Sequence, residues 1–209
     1  MFIFELVGSE QHPAYQQLSI ENLDRQYSFL RSAVLASIDL KRPVLSVEVI
    51  KALNYHAISC LHSNAGQLRP CAVTVGNYEP PPHWEVPARM EMFVDEVNRH
   101  WDTADPVYLS AFVLWKLNWI HPFINGNGRT ARVAAYLVLC LKSGHWLPGD
   151  TLLPELIRQN RPDYVRALQA ADATLLTGQL DLSQLHALLT RLLNEQLPPD
   201  QDSGTNSEN

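Results

Sequence analysis

The chain has 209 residues, 46% of them apolar, and carries 16 basic against 22 acidic side chains for a formal charge of −6. This length suits one domain able to bury roughly 70% of its unfolded surface. A net acidic chain lacks the excess of Lys and Arg on which sequence-independent nucleic-acid binding runs, so nucleic acid is not an expected partner.

The first ten residues have neither the basic start nor the apolar run of a signal peptide. No stretch approaches 18 uninterrupted apolar residues, so no membrane association is expected. Residues 19–38 then predict a helix with Leu23, Tyr27, Leu30, Val34 and Ile38 on one face. A second runs over 46–62, with Ser46 as N-cap and Val49, Ile50, Leu53, Ala57, Ile58 and Leu61 inward. Residues 66–87 break the pattern through Gly66, Pro70, Gly76, three consecutive prolines from Pro80 and Pro87. Within them 71–75 is the best strand in the chain, which predicts a short β-hairpin flap. The three cysteines, Cys60, Cys71 and Cys140, are odd in number and lack C-x-x-C spacing, which fits a reducing cytoplasm.

Helix returns over 87–101. Asp105 and Pro106 form an N-cap and first-turn proline, and the helix they open, 106–119, is apolar on nearly every side. Such a helix belongs at the centre of a bundle. Further helices are predicted from about 126 to 141, over 151–173 and over 181–196, and 198–209 reads as a disordered polar tail. The expected fold class is all-α: a helical bundle with one small β-hairpin flap.

Charge is unevenly distributed. Residues 106–149 contain no Asp or Glu but four cations, Lys116, Arg129, Arg132 and Lys142, so this window carries +4 and the remainder −10. Its centre reads His-Pro-Phe-Ile-Asn-Gly-Asn-Gly-Arg-Thr-Ala-Arg over 121–132. Pro122 disfavours helical geometry at His121, so the central helix should stop there and leave the imidazole on a rigid end. Two glycines in 125–128 let backbone N–H groups turn inward, and the next helix offers its N-terminus to an anion. Arg129 and Arg132 lie three apart, on neighbouring positions of one helical face. A dinucleotide fingerprint would need a preceding strand, and a P-loop would need G-K-[S/T]; neither is present. Phe123 is expected to anchor the loop structurally.

The segment resembles the signature of the Fic family, His-Pro-Phe-x-[Asp/Glu]-Gly-Asn-Gly-Arg-x-x-Arg, at eight of nine specified positions. Residues 66–70, with the strand and prolines that follow, resemble the family's flap, and 160–172 resemble its C-terminal helices. The resemblance divides the chain into an N-terminal helical extension packed on the core (1–44), a Fic domain (45–197) with its flap at about 66–87, and the tail. It implies a protein adenylyltransferase that moves AMP from ATP to a Ser, Thr or Tyr hydroxyl of a target protein. His121 would be the general base. Gly126, Asn127 and Gly128 would hold the α- and β-phosphates through backbone and amide donors, and Arg129 and Arg132 would pair with the outer phosphates. The flap, with Val73, Thr74 and Val75, would pair with an extended target segment.

Asn125 stands where the family has its Mg²⁺-binding acid, which implies weak binding of Mg²⁺ or Mn²⁺ through a neutral oxygen. The substitution leaves three functional readings: an active transferase, a weakened or inactive nucleotide-binding regulator, or an enzyme using another nucleotide or phosphate donor. No good copy of the family's inhibitory Ser/Thr-x-x-x-Glu-Gly/Asn helix is present, so restraint would come from a separate partner or a homodimer. Tyr164 reads equally as base-pocket lining and as packing.

Overall fold

A computed structural model describes residues 2–41 and 45–197; the tail expected over 198–209 lies outside the described residues. The described chain forms nine α-helices and a short 3₁₀ turn. They are α1 (Ile3–Val7), α2 (Pro13–Leu40), α3 (Val47–Ile58), α4 (Val86–Arg99), α5 (Pro106–Ile120), α6 (Asn127–Ser143), α7 (Leu153–Gln159), α8 (Arg161–Leu175) and α9 (Ser183–Gln196). The all-α expectation is met.

The centre is α5. Asp105 caps it through its carboxylate, which accepts from the Tyr108 N–H at 2.8 Å, and Pro106 occupies the first turn. Leu109, Ala111, Phe112, Val113, Leu114, Trp115, Leu117 and Ile120 are all buried, so the helix is enclosed on every side. It packs chiefly against α6, whose residues from Val133 to Cys140 form an unbroken buried run. Helices α2, α3, α4, α8 and α9 complete the bundle.

Three expectations are corrected. The helix predicted over 151–173 is two, separated at Asn160, because Pro162 lacks an N–H and disfavours helical geometry at Arg161. In α2 the buried face runs through Tyr15, Asn22, Gln26, Leu30, Val34 and Ser37, while Leu23 is exposed. Two amides take core positions where α2 crosses α3, each with its N–H donor spent on a carbonyl of that helix or of the turn after it. Asn22 Nδ2 donates to Ser59 O at 2.8 Å, and Gln26 Nε2 donates to Leu53 O at 2.9 Å. The predicted hairpin is reduced to a single bridge between Val75 and Tyr78. Its turn, Gly76-Asn77, has positive φ at the first position only, the type II′ pattern.

Candidate active site

His121 caps α5 in the left-handed region (φ 50°, ψ 59°), its N–H bonded to Leu117 O at 3.0 Å. Pro122 enforces the stop, and a non-glycine residue held in this conformation is strained, so its surroundings must fix it. The fixing group is Arg69, 3% exposed. Arg69 Nε donates to His121 O at 2.8 Å, Nη1 to Cys71 O at 3.1 Å, and Nη2 to Pro81 O and, at 3.5 Å, Ile120 O. Its own N–H reaches Pro122 O at 2.8 Å. One guanidinium thus staples the two ends of the flap to the histidine loop.

Burial lowers the His121 pKa to about 4; a hydrogen bond with the Asn118 backbone opposes the shift, and the Arg69 charge adds to it. The imidazole is therefore in its neutral, proton-accepting form at pH 7. Because the folded pKa lies below the unfolded value of 6.5, this group's contribution to stability is complete above about pH 6.5. It is lost as pH falls from there toward 4. In the nucleotide-free protein, an NMR titration of the His121 ring should show it neutral through pH 5, with a midpoint near 4. A midpoint near 6.5 would contradict the buried setting.

Three residues build the loop that follows. Asn54, fully buried on α3, donates to Asn125 O at 2.9 Å and to Thr130 Oγ1 at 3.2 Å, and accepts from Gly66 N at 2.9 Å. Gly126 has φ 77°, and a Cβ there would lie 2.8 Å from Ile58 and 2.9 Å from Asn54, so only glycine fits. Asn127 spends both ends of its amide on the Phe123 backbone, at 2.9 and 2.8 Å. The Asn127 amide, expected as a phosphate donor, is placed here against the fully buried Phe123 and shapes the loop around it. The first bond of α6 runs from Thr130 N to Gly126 O at 2.9 Å, so the N–H groups of Gly128 and Arg129 precede it at the positive end of the dipole.

The two arginines diverge. Arg132 lies largely out of solvent, accepts no carboxylate and makes no hydrogen bond among the described residues; burial lowers its pKa, and Tyr164 and Tyr27 oppose this. Its Nη1 sits 3.2 Å from where a Gly128 Cβ would stand, so the guanidinium lies back over the α6 N-terminus. Arg129 turns toward α2 and α3 instead. It donates to Ala57 O at 3.0 Å, Ser19 Oγ at 3.2 Å and Asn125 Oδ1 at 3.3 Å. The expected convergence of both arginines is corrected to one, because α3 ends beside Arg129 and offers it a free carbonyl.

His121, Gly128 and Arg132 open into one cavity of about 670 Å³, roofed by residues 75–78 and walled by α5 and α8. Tyr164 lines it and is itself buried, its hydroxyl accepting from Asn118 Nδ2 at 2.7 Å. Of the three flap residues named from sequence only Val75 reaches the cavity. Tyr78 pins the roof by donating to Trp119 O at 2.7 Å.

The residues at position 125 do not fit a resident divalent cation. Asn125 Oδ1 already accepts from the Arg129 guanidinium, and Nδ2 donates to Glu10 Oε1 at 3.0 Å. A cation on that oxygen would meet a guanidinium, and no group of three His, Cys, Asp or Glu side chains is arranged to hold one among the described residues. Sequence reasoning missed Glu10, Asn54 and Arg69. Each is polar and distant in sequence from the site, and only the fold brings it there.

Residues 44–139 match the Fic/DOC family. The chain is 32% identical over 108 residues to the protein adenylyltransferase Fic of Drosophila willistoni, covering 51% of this chain and 20% of that protein. It is 33% identical over 109 residues to the protein adenylyltransferase fic-1 of Caenorhabditis elegans, covering 52% and 20%. The chain thus spans about a fifth of the length of these curated relatives. Among solved structures, Fic-1 of C. elegans superposes with a TM-score of 0.68 at 23% identity, over 85% of this chain and 48% of that one. A Fic-domain signalling protein of Bacteroides thetaiotaomicron gives 0.66 at 22%, over 92% and 76%. The fold is the one these structures share, and the match to the Fic/DOC family lies within residues 44–139.

Proposed function

We propose that the protein is a protein adenylyltransferase, with residues 45–197 as its catalytic domain and 1–44 as an extension packed on it. The observation that carries this reading is the Arg132 guanidinium, half-buried, unpaired among the described residues and laid over a helix N-terminus in the same cavity as a neutral histidine. A cation so placed is suited to a polyphosphate.

In the proposed reaction, ATP enters as its Mg²⁺ or Mn²⁺ complex, its phosphates facing Arg132 and the Gly128 and Arg129 N–H groups. A target Ser, Thr or Tyr oxygen, aligned under the roof at 75–78, attacks the α-phosphorus. His121 accepts the hydroxyl proton as the new P–O bond forms and the bond to the bridging oxygen of pyrophosphate breaks. Arg132 stabilises the charge that gathers on the pyrophosphate. Arg129 holds the loop through Asn125 and Ala57 rather than touching phosphate. Because the ion is held by the nucleotide and not by position 125, no step is assigned to a resident metal.

A second reading is favoured by three contacts. Asn125 and Arg129 are tied to each other and to the N-terminal segment through Glu10 and Ser19, an arrangement suited to a nucleotide-binding regulator with slow transfer. Binding and transfer separate the two. Calorimetry with ATP should give binding that Arg132→Ala weakens at least about tenfold, the scale of one charge-assisted contact. Equal affinity in wild type and Arg132→Ala would remove the proposed phosphate site. Binding without any modified protein, in autolabelling or in a lysate, would favour the regulator.

A further inference from the structure

Helix α4 has two faces of different character. Val86, Met90, Phe93, Val94 and Val97 enter the core. On the other side, positions four apart form one ridge: Trp84 in the 3₁₀ turn before the helix, then Ala88, Met92 and Glu96, and His100 at the C-cap. Trp84 is 72% exposed and Met92 69%, and neither packs on the core. Folding therefore gives no reason for two large apolar side chains to stand in water on the same ridge.

The ridge runs into a cavity of about 320 Å³, separate from the one that holds His121. Glu96 and His100 line it together with Ala104, Leu109, Phe112 and Leu180. Leu109 and Phe112 are buried and His100 is exposed, so the cavity has an apolar floor and a polar rim. From Trp84 to His100 the ridge is about 24 Å long at 1.5 Å per residue, or more than four helical turns.

Charge along the open flank of the ridge is negative. Glu91 and Asp95 are exposed and form no ion pair among the described residues, whereas Glu85 is engaged by Arg89 at 2.6 Å. Arg99 stands at the far end. These carboxylates repel an anionic lipid surface. A two-fold contact with a second copy would set them against their own counterparts. They complement a partner that brings Lys or Arg.

We propose that α4 and the cavity beside it form a docking surface for an amphipathic helix of a partner protein, apolar on its docking face and basic along one edge. The inference goes beyond the nucleotide reading and does not depend on it. Such a helix lies along the ridge in the helix-in-groove mode. One apolar anchor fills the cavity over Leu109 and Phe112, further apolar side chains cover Met92 and Trp84, and the basic edge faces Glu91 and Asp95. The preformed cavity is where most of the binding energy concentrates.

The test uses two dye-labelled peptides of about 18 residues, enough to span the ridge: an amphipathic Leu–Lys helix and its Leu–Glu counterpart. Fluorescence anisotropy gives their affinities for the full chain. Circular dichroism checks that each variant is folded, as expected where the altered side chains lie outside the core. Wild type should bind the Leu–Lys peptide at least about tenfold more tightly than the Leu–Glu peptide. Trp84→Ala combined with Met92→Ala should weaken Leu–Lys binding by about tenfold or more. Glu91→Lys combined with Asp95→Lys should reverse the preference between the peptides. Asp150→Lys combined with Glu195→Lys makes the same change in net charge away from α4 and should leave affinity within about threefold, since distant exposed charges are screened. The proposal is overturned if wild type does not bind the Leu–Lys peptide, or if binding survives loss of both Trp84 and Met92. It is overturned equally if the distant charge reversal acts as strongly as the one on α4. Sedimentation of wild type as a dimer that Trp84→Ala dissolves would assign the surface to a second copy instead.

Discussion

His121→Ala will suppress nucleotidyl transfer by about 10² to 10⁴-fold, the range that a positioned general base contributes, with ATP affinity held within about twofold because the phosphate contacts are elsewhere. The imidazole shares the cavity with Arg132 and the α6 N-terminus under the roof. Burial keeps it neutral at pH 7, so it is ready to take the hydroxyl proton. Its left-handed backbone makes the choice of control matter. Asn tolerates that conformation and preserves polarity, so His121→Asn should be as inactive as His121→Ala and no less stable than wild type. A rate loss shared with a large fall in ATP affinity would show that the histidine supports the pocket and does not perform the chemistry.

Arg69→Met will cost about 3–5 kcal/mol of stability, the range for removing a buried charged group from its partners, and at this chain length that lowers Tm by about 10 °C. Arg69 is buried against carbonyls alone, those of His121, Ile120, Cys71 and Pro81. Methionine fills the volume but leaves those oxygens dry, each at a cost of about 1–3 kcal/mol before relaxation. Because the guanidinium fastens both ends of the flap to the histidine loop, kcat for transfer should fall with stability even where the protein remains folded. Arg69→Lys retains charge without the planar fork and should fall between the two. A thermal melt within about 2 °C of wild type would mean that the loop is held by packing alone.

The parts of this site that were legible from sequence are those determined locally. Asp105-Pro106 at one end of α5 and His121-Pro122 at the other are backbone rules, and the fold obeys both. The glycine at 126 follows from a left-handed turn that only close packing on Ile58 makes obligatory. Spacing alone misled where direction mattered. Arg129 and Arg132 sit three residues apart, yet one reaches the carbonyl of Ala57 and the other the cavity, a division set by where α3 ends. On α2 the expected face holds at Tyr27, Leu30, Val34 and Ile38 and fails at Leu23, since Asn22 and Gln26 enter the core to meet carbonyls of another helix and its following turn. Arg69 stands in the flap-like stretch 66–70, but its role is not legible there, because a cation satisfied by carbonyls up to 52 residues away looks like any surface arginine in the chain.

Position 125 joins the sequence to the chemistry. The missing acid is matched in space by Glu10, whose carboxylate accepts from the Asn125 amide and also lies 3.8 Å from His62. Restoring an acid by Asn125→Asp would place two carboxylates against each other, destabilising the N-terminal segment. The acidic balance of the chain as a whole thus conceals a cavity with two arginines, Arg132 and Arg161, in its lining.

The most direct test follows the label on ATP. The protein and a cell lysate are incubated with ATP labelled at either the α- or the γ-phosphate, and the modified proteins are separated and examined by mass spectrometry. Transfer of AMP predicts that the α-label becomes covalently attached, that the γ-label leaves with pyrophosphate, and that both results vanish with His121→Ala. Attachment of the γ-label, or α-labelling that persists in His121→Ala, would contradict the account.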